Sequence, residues 1–379
     1  MRILQLSSDW KWTGPAAPML QLLRALRAAG HEVELACPPG PPGTAPTLAI
    51  EARKLGAAPI LELTQGRGVR WRRDAADARR LRALFAAKAF EVVHTWHTRD
   101  HVLALRAAHA QRRRGLPRIA RSYKSGQPIR AWPWNRWLFG PGCDGLVCVS
   151  PETARANRRL RGDRPLLGAF GAVDLERFRP GGGDASVRRS LGLAPDQPVI
   201  GIVARAQRHR RFDLLLRAAA QLLREHPEAR LLIVGRGTHI RETAHEPAAR
   251  LGIADRVVFA GYRTDDYADV LRCIDVFTFL VPGSDGGCRA LLEAAACGIP
   301  AVVTRRGALP ELVVHGETGL AIEERPAALA EAWHVLLADA GLRARMGLAA
   351  RRRAERLFSS QRLCRDLEGL YRAMLADLS

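Results

Sequence analysis

A chain of 379 residues, 47% hydrophobic and 26% charged, has the composition of a folded protein and the length for two ordinary domains, each with its own core. That excludes a disordered chain; no apolar run approaches the roughly 20 residues of a membrane-spanning helix, and the opening MRILQLSSDW enters a strand pattern where a signal peptide would show a basic and then apolar run. The formal charge of +21 concerns association with anionic partners, not fold.

In chain order, the first strand is expected at Ile3–Leu6. A loop, SSDWKWTGPAAP, leads to a helix with apolar spacing at Met19, Leu22, Leu23 and Leu26, ended by Gly30, and HEVELACP supplies the second strand. This is a βαβ unit, whose right-handed crossover makes the sheet parallel and whose first loop faces the ligand side. Gly14 in that loop is a candidate ligand contact, although no G-x-G-x-x-G is present. A helix near 74–88, the strand FEVVHTW, a helix from about 100 to 111, the strand RIARSY and the strand GLVCVS (145–150) continue the cycle, and a polar helix begins at Pro151.

Residues 168–198, rich in Gly, Pro and polar side chains, are expected to be a linker. A second α/β cycle follows: the strand PVIGIVAR, a helix over 212–225, the strand ARLLIVGRG, a helix over 239–251, the strand RVVFAGY, the helix DDYADVLRCI and the strand DVFTFL. The tail from Ser359 is expected to be an amphipathic helix with Leu363, Leu367, Leu370, Met374 and Leu378 on one face.

Seven cysteines, at 37, 143, 148, 273, 288, 297 and 364, form no C-x-x-C set, so a reducing, cytosolic setting is expected, with neither a disulfide framework nor a metal site. Charge is uneven. From His101 to Cys143 there is no acidic residue, and AWPWNRWLFG (131–140) sets three tryptophans and a phenylalanine among arginines. The window 106–138 reads either as a docking surface for an anionic membrane or as a solvated basic face with its tryptophans in the core. No recognised nucleic-acid motif is present, so no specific nucleic-acid partner is expected.

The chemistry concentrates in GSDGGCRALLEAAACGIP (283–300), a glycine-softened loop feeding a short helix that stops at Cys297-Gly298 before the strand AVVT. Asp285 lies where a helix would begin, Glu293 eight residues on, and Gly286 and Gly287 let the backbone approach a ligand. Were the segment helical throughout, the eight-residue step would span roughly 12 Å. That is too far for two carboxylates acting on one glycosidic bond, and better suited to two hydroxyl-bearing groups joined by a diphosphate. The plainer reading makes Asp285 a helix N-cap and Glu293 a surface residue. Upstream, Arg205 and Arg210 stand at the end of a strand where guanidinium groups could neutralise a diphosphate; Gly235, Gly237 and Arg263 end the next two strands along the same rim.

These residues carry a resemblance. The chain resembles the retaining, two-Rossmann-domain (GT-B) glycosyltransferases of family 4, also called group 1. DGGCRALLEAAACGIPAVVT is similar to the family's carboxylate-x7-carboxylate motif, ARAQRHRRFD to its phosphate-binding block and LPELVVHGETGLAI to its distal block. AAGHEVEL, VVHTWHTRDH and VSPETARANRRL with GAVDLERFRP resemble blocks of its first half. The resemblance implies an α/β fold of two Rossmann-like domains facing a central cleft. The acceptor domain would be 1–180, the nucleotide-sugar domain 181–358, and the helix 359–379 would cross back to pack on the first. It implies that Glu293 holds the ribose hydroxyls, that Asp285 and the amides of Gly286, Gly287, Cys288 and Arg289 hold the donor sugar, and that Arg205 and Arg210 hold the diphosphate. The family's active-site histidine falls at His94 or His97. Three departures stand out: Asp285 where the family has Glu, Arg210 where it has Lys, and a single Gly14 where it has a glycine pair. The implied activity is metal-independent, cofactor-free transfer from a nucleotide sugar to a glycan, glycolipid or lipopolysaccharide-type acceptor with retention. The expected location is the cytoplasm, at the inner face of the membrane. An epimerase of the same fold and a non-catalytic basic binding protein are the alternatives.

Overall fold

The structure is a computed structural model that describes all residues except 13–15, 65–67, 110–114, 116, 283–286, 377–379 and the Trp71 side chain. The chain divides into two compact units, one of Met1–Ala172 with Ser284–Gly287 and Ser360–Ser379, the other of Val173–Gly283 with Cys288–Ser359.

The first unit runs β1 (Arg2–Leu6), α1 (Ala16–Ala28), β2 (Glu32–Cys37), α2 (Leu48–Lys54), β3 (Leu61–Glu62), α3 (Trp71–Ala87), β4 (Val92–Thr95), α4 (Thr98–Ala108), β5 (Arg118–Tyr123), α5 (Pro133–Phe139), β6 (Gly145–Cys148), α6 (Pro151–Arg161) and β7 (Leu166–Gly168). The strands form one parallel sheet in the order β3-β2-β1-β4-β5-β6-β7. Interior strands such as β1 and β4 are buried on both faces, which is why they read as near-continuous apolar runs. Met19, Leu22, Leu23 and Leu26 of α1 cover one face, and Leu81, Phe85, Leu103 and Ala107 of α3 and α4 cover the other.

The second unit runs α7 (Ala185–Ser190), β8 (Val199–Val203), α8 (Phe212–Glu225), β9 (Arg230–Val234), α9 (Glu246–Arg250), β10 (Val257–Gly261), α10 (Tyr267–Arg272), β11 (Val276–Phe279), α11 (Arg289–Ala296), β12 (Ala301–Thr304), α12 (Leu309–Leu312), β13 (Gly319–Ile322), α13 (Pro326–Ala338) and α14 (Ala340–Leu357). Its parallel sheet is ordered β10-β9-β8-β11-β12-β13. The core gathers Leu215, Leu216, Leu222, Leu231 and Ile233 around Trp333, whose indole N–H donates to Thr278 Oγ1 at 3.0 Å. Both units are therefore Rossmann-like, as expected, and each reverses its strand order between its first and fourth strands.

The last helix, α15 (Ser360–Ala376), belongs to the first unit. Leu367, Leu370, Tyr371 and Met374 join the core beside α1, and Glu368 pairs with His31 at 2.7 Å. The expected linker over 168–198 holds β7's last residue and α7, and the expected helix over 239–251 is a π-helical turn, Arg241–His245, before α9.

Candidate functional site

In the second unit the strand-order reversal lies between β8 and β11, the crevice where open parallel sheets hold ligands. Arg205 follows β8 and is exposed. Arg210 is half-buried and donates from Nη1 to the Val281 carbonyl at 3.0 Å, tying the loop after β8 to the segment after β11. Its neighbour Arg211 sits in the left-handed region at φ 59°, immediately before α8, and donates to Glu324 Oε2 at 2.5 Å. Arg210 and Arg211, adjacent in this loop, thus serve separate partners.

α11 starts at Arg289, with Cys288 before it at φ 47°, so the stretch leading to Glu293 is not helical throughout, and the condition on which the 12 Å step rests is not met. Asp285, Gly286 and Gly14 lie outside the described residues. Gly287 is half-buried, and Cys288 is buried at the helix start. Glu293 is not the surface residue of the plainer reading: it is 3% exposed. One oxygen accepts from Arg289 Nε at 2.7 Å and the other from the Tyr267 hydroxyl at 2.8 Å. Burial and the adjacent carboxylate push the Tyr267 phenol well up, so it remains a donor. The carboxylate likewise raises the Arg289 pKa. Each carboxylate oxygen keeps a lone pair for a further donor. Tyr267 was missed by sequence reading; its only signal was a position at the start of the helix after β10.

Gly235 and Gly237 have a backbone reason for being glycine. A Cβ at either would run into the carbonyl oxygens of Ala204 and Ala206, because the loops after β8 and β9 lie flush, joined by Ala204 N–H donating to Val234 O at 3.0 Å. Gly235 also has φ 138°. Arg263 pairs with Asp266 at 3.1 Å, just ahead of Tyr267.

In the first unit the two candidate histidines part company. His94, on β4, is fully buried, with Nδ1 2.6 Å from the Tyr371 hydroxyl and Nε2 2.8 Å from Ser122 Oγ, and its ring stacks on Trp96 at 5.1 Å. Burial pushes its pKa down to about 3, so it is neutral, with one nitrogen donating and the other accepting. Both ring nitrogens are engaged within the fold. His97 caps α4, is partly exposed and has Nε2 3.0 Å from Lys124 Nζ. It lines a cavity of about 480 Å³ at the carboxyl ends of β1, β4 and β5.

The aromatic basic segment is not tucked into the core. Trp132, Trp134 and Trp137 on and before α5 are 63%, 43% and 47% exposed. Trp134 and Trp137 share a cavity of about 600 Å³ with Arg79, Arg82 and Arg106. The seven cysteines are buried and unbridged. Among the described residues no helix is long and apolar enough to cross a membrane.

Comparison with known proteins follows the same division. Residues 184–353 match the family profile described as glycosyl transferases group 1, and residues 13–167 match glycosyltransferase family 4. The D-inositol 3-phosphate glycosyltransferase of Streptomyces bingchenggensis is 37% identical over 225 residues, 56% of this chain and 49% of that one. The GDP-mannose-dependent alpha-(1-6)-phosphatidylinositol monomannoside mannosyltransferase of Mycolicibacterium smegmatis is 35% identical over 188 residues, 47% and 49% of the two chains. The chain thus spans about half the length of the curated relatives it matches. A crystal structure of a glycosyltransferase from Rickettsia africae superposes with a TM-score of 0.82 over 99% of this chain and 98% of its own, at 16% identity, a likeness of fold alone.

Proposed function

The chain belongs to the glycosyltransferases, its first half to family 4 and its second to group 1, and from that membership we propose that it moves a sugar from a nucleotide-sugar donor to a hydroxyl acceptor with retention of anomeric configuration. The observation that carries this is Arg210 bridging the strand-order reversal of the second unit, from the loop after β8 to the Val281 carbonyl that precedes α11 and its buried Glu293. A diphosphate lying at that crevice meets guanidinium charge on one side, and a ribose finds a carboxylate aimed by Tyr267 and Arg289 on the other.

In this reading Glu293 accepts from the ribose hydroxyls, Arg205 and Arg210 bind the diphosphate, and Asp285 with the amides that follow contacts the donor sugar. As the sugar–phosphate bond stretches toward an oxocarbenium-like state, the arginines stabilise the departing nucleoside diphosphate. A phosphate oxygen of that leaving group takes the acceptor's proton as the new glycosidic bond forms on the same face. Guanidinium groups supply the positive charge, so no metal ion enters the scheme. The acceptor is a polyol, glycan or glycolipid; the named relatives act on D-inositol 3-phosphate and on phosphatidylinositol monomannoside. We further propose that the enzyme works in the cytoplasm against the inner face of the membrane; its unbridged thiols and the exposed tryptophans among arginines support this.

The test is a panel of nucleotide sugars screened for thermal stabilisation, then turnover with a phospho-polyol and a glycolipid acceptor in the presence of a chelator. The anomeric configuration of the product is read by NMR. A retained glycoside formed at an unchanged rate with chelator is expected. An inverted product, or an epimer formed without acceptor, overturns the reading.

A further inference from the structure

Two residues in the second unit hold a backbone conformation that their side chains disfavour. Among the described residues other than glycine, Arg211 and Cys288 alone have positive φ, 59° and 47°. They stand immediately before α8 and α11, the helices that follow β8 and β11, the strands on either side of the reversal. A glycine takes this conformation freely, whereas a residue with a β-carbon keeps it only where its surroundings over-determine it. At residue 211 the side chain itself supplies that hold.

Arg211 Nη1 donates to Glu324 Oε2 at 2.5 Å, and Arg211 Nε lies 3.3 Å from Asp213 Oδ1. Glu324 follows β13, which is three strands from β8, or about 14 Å at the usual strand spacing. The same carboxylate takes Arg306, from the loop after β12, side-on: Nε is 2.6 Å from Oε1 and Nη2 is 2.9 Å from Oε2. At the end of β12, Thr304 Oγ1 donates to the Leu280 carbonyl at 2.5 Å, and Arg210 Nη1 donates to the next carbonyl, that of Val281, at 3.0 Å. These ties close a ring through the segments after β8, β11, β12 and β13, from Glu324 to Arg211, Arg210 to Val281, Leu280 to Thr304, and Arg306 back to Glu324.

The ring bears on Arg210 because Arg211 is its neighbour. The backbone of residue 211 sets the direction in which the chain leaves Arg210 for α8, so the bond to Glu324 fixes the frame from which the Arg210 side chain projects. A misplacement of about 1 Å is enough to cost a positioned group much of its effect. Glu324 has no evident use as a charge here, since a carboxylate at this rim of the sheet repels a bound diphosphate. Both its oxygens are engaged by arginines, and what it contributes is their position.

We propose that Glu324 is a positioning residue for the donor: through Arg211 it holds the loop after β8 in the left-handed turn from which Arg210 presents its guanidinium to a diphosphate. The proposal rests on the reading that Arg210 binds the diphosphate of a nucleotide sugar.

The experiment titrates the full chain calorimetrically, at constant ionic strength and with chelator, using ADP, CDP, GDP, UDP and dTDP, and compares the tightest of these with its monophosphate. Glu324→Ala and Arg211→Ala are each expected to weaken the diphosphate at least about tenfold and the monophosphate less than about twofold. Charge repulsion alone predicts the opposite sign for Glu324→Ala, tighter binding once the carboxylate is gone. Arg211→Gly adopts the left-handed turn without needing the tie, so it is expected to stay within about threefold of the parent. Adding Glu324→Ala to Arg210→Gln is expected to cost nothing beyond Arg210→Gln alone, because Glu324 acts through that residue. Should Glu324→Ala not fold, the contrast between Arg211→Ala and Arg211→Gly carries the test. Unchanged or tighter diphosphate binding in Glu324→Ala, equal losses for mono- and diphosphate, or equal losses in Arg211→Ala and Arg211→Gly overturn the proposal. Selective loss in Arg210→Gln without loss in Glu324→Ala and Arg211→Ala strikes this proposal alone. A diphosphate affinity insensitive to Arg210→Gln, or no nucleoside diphosphate bound by the parent, strikes the donor reading and this proposal with it.

Discussion

Glu293 shows how a single carboxylate is prepared for a sugar. Two protein donors, Arg289 from the preceding turn of α11 and Tyr267 from the start of α10, fix its orientation while it is 3% exposed. Neither donor titrates near neutral pH: Arg289 is held protonated by the carboxylate, and the Tyr267 phenol is pushed up by burial and by Glu293. The two donors thus keep their protons around neutral pH, and the aim of the carboxylate depends on both. Tyr267→Phe removes one hydrogen bond to a charged group, worth about 1.5 kcal/mol or somewhat more. The donor KM is therefore expected to rise roughly tenfold with kcat nearly unchanged, since only ground-state binding of the ribose is loosened. Glu293→Ala is expected to abolish turnover with the fold intact. Steady-state kinetics against the donor check both, and wild-type constants in the two variants would remove Glu293 from the donor site.

At the scale of elements, the α/β cycle was legible in the sequence because interior parallel strands are unbroken apolar runs and glycines punctuate them: AVVT and 212–225 are a strand and a helix over those residues. What was not legible depends on neighbours distant in sequence. Gly235 and Gly237 read as ligand-facing, yet their lack of a side chain is required by the carbonyls of Ala204 and Ala206. RIARSY read as a strand, but nothing local shows that Arg121 is buried without an acceptor. His94 and His97 looked equivalent until α15 brought Tyr371 to the first of them. The burial of His94 gives the stability of the first unit a pH signature. His94 ordinarily protonates near 6.5, whereas in the fold burial, with Arg121 and Lys124 adding repulsion against the opposing pull of Asp100, lowers it to about 3. Between these values the unfolded chain binds one more proton than the folded one. Stability is therefore full above about pH 6.5 and is lost as pH falls, by up to about 1.4 kcal/mol per unit. Groups that titrate alike in wild type and His94→Gln cancel in the difference between them. Any stability advantage of the wild type is thus expected to shrink below pH 6.5 at that slope. Urea unfolding at pH 7, 6 and 5 measures it, and parallel pH profiles would show that His94 does not carry the effect.

For the whole molecule, the question is what an excess of 21 positive charges does. Charge alone gives weak, salt-sensitive attraction to any anionic surface. The first unit adds something more specific: three exposed tryptophans, two of them 5.3 Å apart and beside Arg79, Arg82 and Arg106. Tryptophan gains most at a lipid interface, where its ring is buried at headgroup level and its N–H stays solvated. The two contributions separate in salt. Arginine attraction to an anionic leaflet, worth about 1 kcal/mol per residue near the surface, fades as the Debye length shortens to about 3 Å at 1 M salt, while aromatic insertion does not. Vesicle flotation is therefore expected to show binding to phosphatidylglycerol but not phosphatidylcholine at low salt. Replacing Trp132, Trp134 and Trp137 together by Ala is expected to weaken binding at least about tenfold and leave the remainder steeply salt-dependent. Equal binding to the two lipids would refute the electrostatic part, and an unchanged affinity in the triple variant would refute the role of α5. Because those tryptophans are outside the core, loss of binding with an unchanged Tm distinguishes lost docking from lost folding.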